Sequence, residues 1–522
     1  MREGTVFPEA QVRLPLRTMN RHGLISGATG TGKTKTLAMM AEQLSEAGVP
    51  TLLMDIKGDL SGLAMPGTAQ PAIAERHAKI GSEWSASAYP VEFLTLSQEP
   101  GTRLRATVLE FGPVLFSRLL GLNETQSSLV ALVFKFCDDK RLPLVDLKDF
   151  KKVLEYITGE AKANVAAEYG LVPSASAGLI LRKLVELEQQ GAELFFGEPS
   201  FEVEDLCRAL DGFGVISVLR LNDLQGRPKL FSSFMLQLLA ELYAKLPEVG
   251  DVDKPKLVVF IDEAHLLFAE AEKALLEEIE MVIKLIRSKG VGIFFCTQLP
   301  TDIPGDVLGQ LGVKVQHALR AFTAKDRKAI KLVAENYPES SFYDTTTLLT
   351  ELGIGEAFVT VLDERGAPTP LAATLLAAPR SRMGPLTREE LEGIIAASPL
   401  AQKYNTPLDA QSAYEILGGK MDNATTTPGA AKPAAAARRT YAPAPAMGGA
   451  SSTNEAWRGE PAEPAELPYE RPAAPAPAQR NVVSDIFGSS VAKGVARSVA
   501  VNVAGTLTRS LMGVLMGKGR RR

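Results

Sequence analysis

Apolar residues arrive along this chain in short unbroken runs, separated by longer stretches where they recur every three or four positions. His22–Ser26, Thr51–Asp55, Val91–Leu96, Gly214–Leu219, Leu257–Ile261, Gly292–Thr297 and Val313–Leu319 are such runs. Each has the length and apolar density of a strand covered on both faces. Between them, Leu37, Met40, Ala41 and Leu44 keep helical spacing. Phe231–Leu246 reads as an apolar helix closed by Pro247, and residues 269–289 read as a charged one. Residues 356–376 alternate like a hairpin. Strands alternating with helices predict an α/β fold in three layers around a mostly parallel sheet.

The pattern also divides the chain. Residues 1–112 and 198–420 carry the strands and form the two parts of one expected core. Residues 113–197 have apolar positions at mixed helical spacings and few β-rich runs, and are expected to be a helical insertion. From 421 to 480 the composition changes, with ten prolines between Pro428 and Pro477 among many alanines. A disordered, partly extended linker is expected there. In 481–522, Val491, Val495, Val499, Val503, Leu507 and Leu511 make a helical stripe beside seven basic residues and one acid, Asp485. This basic amphipathic tail suits a peripheral membrane, nucleic-acid or protein contact. It equally suits packing on the protein itself or on its copies.

Composition adds limits. A net charge of −4 over 522 residues announces no general nucleic-acid binder, although a local basic patch would suffice for one. Cys137, Cys207 and Cys296 are far apart, with neither metal spacing nor a disulfide framework. That usage, the lack of a signal-like N-terminal segment and the lack of a long apolar run predict a cytoplasmic protein.

The chemistry begins at residues 27–34, Gly-Ala-Thr-Gly-Thr-Gly-Lys-Thr, which fit G-x-x-x-x-G-K-[ST] at every fixed position. A strand precedes and a helix follows, the context in which glycines let backbone N–H groups surround phosphates. Gly27, Ala28, Thr29, Gly30, Thr31, Gly32, Lys33, Thr34 and Lys35 are therefore the expected ATP cradle. Lys33 is placed for the β and γ phosphates, and Thr34 for Mg²⁺. The run Leu257–Ile261 ends in Asp262 and Glu263. Asp262 is expected to hold Mg²⁺, and Glu263 to polarise the attacking water as general base. Gln298 ends the next strand and faces the same crevice, within reach of γ-phosphate or water. Arg287 precedes that strand and is a candidate finger acting on a neighbouring subunit's phosphoryl group. Arg320 is its rival, with Arg380 and Arg382 behind.

In this order, GATGTGKT, LLMDIKGDL, VVFIDEAH and FFCTQLPTDIP resemble the HerA/FtsK group of P-loop ATPases, in particular bacterial HerA-like helicases of the YjgR type. The resemblance covers residues 15–420. It implies a RecA-like P-loop core, hydrolysis of ATP, a hexameric ring that moves DNA or in some branches protein, nucleotide contact by Gln298 and a finger role for Arg287. HerA proteins proper place a small β-barrel before the phosphate loop, where only about 20 residues stand here. The membrane spans and DNA-reading winged helix of FtsK-type pumps are not evident. Asp262-Glu263-Ala264-His265 also spells the DEAH helicase signature. No Ser-Ala-Thr or Gln-Arg-Gly-Arg element accompanies it, and the match reads as coincidence around an Asp-Glu pair. Three functions stay open: a DNA translocase or helicase, an ATPase powering protein transfer at a membrane, and a slow nucleotide-dependent scaffold.

Overall fold

Ten strands form one sheet in the computed structural model, which describes residues 1–418 except 3, 225–226, 251, 270–272 and 409. The expected linker over 421–480 and tail over 481–522 lie outside the described residues. In chain order the strands are β1 (Gly23–Ser26), β2 (Thr51–Asp55), β3 (Val91–Thr95), β4 (Thr102–Arg103), β5 (Ile216–Arg220), β6 (Leu257–Ile261), β7 (Val291–Thr297), β8 (Val313–His317), β9 (Glu356–Thr360) and β10 (Ala372–Leu375). Their order across the sheet is β10-β9-β8-β1-β7-β6-β2-β5-β3-β4. All pairs are parallel except β8 with β9 and β9 with β10, and the second of these is the antiparallel hairpin expected over 356–376, at one edge.

The chain runs outward from β1 to β2 and returns through β6 and β7. Right-handed crossovers therefore put the outgoing and returning helices on opposite faces. On the first face α1 (Lys33–Glu46) buries Leu37, Met40, Ala41 and Leu44 against Ile25, Leu53, Phe260, Phe294 and Val315. Alternation along the strands turns Phe295 to the other face, where its ring meets Phe268 at 5.7 Å. That layer contains α2 (Pro228–Lys245) and α3 (Lys273–Ile286), which pack on each other. Among the described residues, the charged helix expected over 269–289 is α3 followed by a 3-10 turn at Arg287–Lys289, with His265–Ala269 also helical.

Helices also fill Val108–Leu119, Glu124–Lys140, Leu147–Thr158, Lys162–Tyr169 and Ser174–Gln189. The first three open on reciprocal capping boxes, Thr107 with Glu110, Asn123 with Gln126 and Asp146 with Asp149. The boundary expected at 113 falls inside the first of them, at a kink where Gly112 has φ 65° before Pro113. Phe116 is the centre of this region, with Phe111, Phe134, Phe150 and Phe196 around it and Phe150 nearest at 4.9 Å.

Candidate active site

The phosphate loop hangs from the C-terminal end of β1 and is fastened to both neighbouring strands. Gly27 N donates to Gln298 O beyond β7 (3.2 Å), and Ala28 N donates to Ala318 O beyond β8 (2.8 Å). The second bond explains why the run expected to reach Leu319 stops pairing as a strand at His317. Gly27 has φ 150°, and a Cβ there would lie 2.5 Å from the Cβ of His317. Gly32 has φ 114° and caps α1 while approaching Gly355 to 3.2 Å from a notional Cβ. Neither position admits a side chain without displacing backbone. Among the described residues, the N–H groups of Gly30 and Gly32 meet no protein acceptor. The cap of α1 lacks a side-chain hydrogen bond, leaving the positive end of the helix for an anion. Lys33 folds back into the loop, its Nζ donating to Gly27 O (2.6 Å) and Ala28 O (3.1 Å). Burial, and then the charge of Lys57, hold its pKa below the ordinary lysine value, against the pull of Glu263 and Asp262.

The acids follow β6, one strand away across β7. Register pairs Ile261 with Phe295 and Ser26 with Thr297, so Asp262, Gln298 and Gly27 leave three adjacent strands at one edge. Ala264 N donates to Cys296 O (2.9 Å) and fixes the turn after β6. Asp262 Oδ1 accepts from Glu263 N (2.9 Å), whereas Oδ2 is buried without a hydrogen bond. Glu263 has φ 46°, a left-handed conformation that costs a non-glycine residue about 1 kcal/mol. Its Oε1 is ion-paired with the Lys57 ammonium. Its Oε2 is buried without a hydrogen bond, with His265 Nδ1 at 3.3 Å. The Gln298 side chain is exposed at the mouth of the crevice. Asp302 braces the strand end, accepting from Thr297 Oγ1 (2.6 Å) and Leu299 N (2.9 Å).

This donor set fits a magnesium nucleotide. Among the described residues no cluster of three or more His, Cys, Asp or Glu could hold a metal alone. Mg²⁺ characteristically takes one or two carboxylates and shares itself with phosphates. Asp262, with an unsatisfied buried oxygen, and Thr34, half-buried at the start of α1, would hold it.

Burial raises the Asp262 carboxyl to about 6 from an ordinary 3.8, with Lys57 opposing and Glu263 reinforcing the shift. A carboxyl raised in the fold leaves stability intact below its unfolded pKa and removes it as pH climbs through the folded one. For the nucleotide-free protein the loss is of the order of 3 kcal/mol by pH 8. Asp262→Asn is therefore expected to raise the melting midpoint at pH 8 by a few degrees, in metal-free buffer. The gain should shrink as pH falls through 6 and vanish near pH 4. Equal midpoints at pH 8 would contradict the buried charge.

Residues 2–522 match the family described as Helicase HerA-like C-terminal. The chain belongs to that family. This HerA-like protein is 21% identical over 361 residues to the DNA double-strand break repair helicase HerA of Sulfolobus acidocaldarius, covering 67% of this chain and 64% of that one. It is 23% identical over 372 residues to the protein of the same name from Sulfurisphaera tokodaii, with the same coverages. It thus spans less than two thirds of the length of either relative. Among solved structures, the bacterial conjugative coupling protein TrwB aligns at 16% identity with a TM-score of 0.49, over 74% of this chain and 92% of that one.

The four candidate fingers of the HerA-like chain separate. Arg287 lies before β7, at the edge of the sheet opposite the phosphate loop, exposed in a cleft with Arg21, Lys284 and Lys314. It cannot serve its own chain's loop, about 20 Å away along a seven-residue strand. Arg320 follows β8 on the loop's edge and donates to Thr350 O (3.0 Å). Arg380 is engaged by Glu46 (2.6 Å) and Ser85, and Arg382 is held by both oxygens of Glu390 (2.7 and 3.0 Å). Lys35 Nζ donates to Met383 O (3.0 Å).

Residues that local spacing did not single out complete the site. Lys57 reaches Glu263 from the turn after β2. His317 Nε2 lies 2.9 Å from Thr36 Oγ1 under the loop, its pKa pushed down to about 4 by burial and then by Lys33. Gly355 N donates to Thr31 O (3.0 Å), and Arg76 secures that strap through Ile354 O and Gly355 O. Lys57 lies in the LLMDIKGDL segment that resembles the HerA/FtsK group, but nothing in its spacing announces a partner 206 positions away.

Proposed function

We propose that this protein is an ATP-hydrolysing motor that assembles as a ring, a hexamer, in the cytoplasm and translocates DNA. What carries the reading is one observation: the phosphate loop, Asp262–Glu263 and Gln298 leave three adjacent parallel strands at a single sheet edge. The loop's free N–H groups and Lys33 bind and orient the triphosphate. Glu263 takes the proton of a water attacking the γ-phosphate, and Gln298 orients that water. Magnesium, held by Thr34 and Asp262, would supply charge neutralisation on the phosphates. Arg287 points to a ring because only a neighbour's nucleotide is open to it. DNA is preferred as the track because the curated HerA relatives are named as DNA helicases.

The test is the ATPase rate of the full-length protein with and without double- and single-stranded DNA, with the assembly mass read in the same buffer. Stimulation by DNA that falls steeply between about 50 and 200 mM salt, from a multimer, is expected. A monomer with DNA-indifferent hydrolysis overturns the reading. Co-sedimentation with vesicles that is lost on deleting 481–522 would turn it toward protein transfer at a membrane.

A further inference from the structure

Neither carboxylate oxygen of Glu263 is free to meet an attacking water. Oε1 is taken by the Lys57 ammonium, and Oε2 is buried. A general base needs one oxygen facing the water it deprotonates, so the side chain must move before it can act. What holds it is built with some care. Asp55, the last residue of β2, folds its carboxylate over the following turn and accepts from Gly58 N (2.7 Å) and Leu60 N (3.0 Å). That turn carries Lys57 outward beside β6, the neighbour of β2 in the sheet. Gly58 takes φ 78° there, and a Cβ on it would lie 2.4 Å from Asn222 Nδ2. The backbone of Glu263 is in a left-handed conformation. The Lys57 side chain is 41% exposed and that of Glu263 11%, so an arriving polyanion meets the lysine first.

We propose that Lys57 is a latch on the general base. In the nucleotide-free protein it neutralises Glu263 and turns it away from water. When a triphosphate enters, its charge loosens the ion pair, and Glu263 swings free in only part of the bound complexes. Lys57 is thus a positioning residue that holds back part of the ATP-bound population from hydrolysis until the pair opens. The inference rests on the reading of this crevice as an ATPase site.

The experiment compares steady-state ATP hydrolysis by full-length wild type, Lys57→Met, Lys57→Gln, Lys57→Arg, Glu263→Gln and the Lys57→Met/Glu263→Gln double variant, without DNA. An exposed ion pair sets the scale at about threefold. Lys57→Met and Lys57→Gln are expected to raise kcat by about that factor with KM for ATP within twofold of wild type. Lys57→Arg should restore most of the restraint, and the double variant should match Glu263→Gln. A merely structural lysine would lower kcat, or leave it unchanged, in both neutral variants, and either result overturns the latch. Wild type no faster than Glu263→Gln would instead remove the ATPase reading itself, and the latch with it.

Discussion

Glu263→Gln is expected to lower ATP turnover by about 10²- to 10⁴-fold, the range lost when a positioned general base is removed. The amide keeps the size and reach of the carboxylate, and the turn around it does not depend on the side chain. Ala264 N still donates to Cys296 O, and Glu263 N still donates to Asp262 Oδ1. The phosphate loop, fastened to β7 and β8 rather than to β6, is untouched. Binding of ATP should therefore persist while hydrolysis stops, and the variant should accumulate the nucleotide-bound state. Filter retention of labelled ATP, set beside steady-state release of phosphate, reads both quantities. Turnover within threefold of wild type would sink the role given to Glu263. Loss of binding together with turnover would mean that the substitution had damaged the cradle instead.

How much of this site could be read from the chain follows from the range of the forces involved. The phosphate loop is local: glycines, a lysine and a helix start within eight positions, flanked by a run of apolar residues. Leu257–Ile261 is equally local, since a strand buried on both faces must be apolar throughout. That it ends in two acids is visible at once. The order of strands is another matter. Only the sheet puts β7 between β1 and β6, and only that placement brings Gln298 O to Gly27 N. Contacts closed over hundreds of positions leave no trace in spacing. Lys57 with Glu263, His317 with Thr36 and Gly355 with Thr31 are all of this kind. Arg287 shows the converse. Its residue type and its place before β7 suggest a finger, yet the fold sets it at the far edge of the sheet, where only assembly could give it a phosphate.

Lys33→Ala is expected to weaken nucleotide binding by roughly a hundredfold or more, from the loss of one or two charge-assisted hydrogen bonds at about 1.5–3 kcal/mol each. The magnitude follows from how the ammonium is kept. With no ligand it is held inside the loop by Gly27 O and Ala28 O, and burial works against its charge, so a phosphate oxygen is a better partner than the two carbonyls. Exchanging them relieves the burial cost and leaves the loop backbone where it was. The alanine variant loses both the attraction and the internal brace. Because the loop remains fastened by the bonds from Gly27 N and Ala28 N, its thermal midpoint should fall by only a few degrees. Fluorescent-nucleotide titration with magnesium present, compared with the melting curve, separates the two effects. Unchanged affinity would mean that the cradle binds by its backbone alone. A collapse of the midpoint would mean that Lys33 braces the fold and that its nucleotide role must be measured another way, with Lys33→Arg.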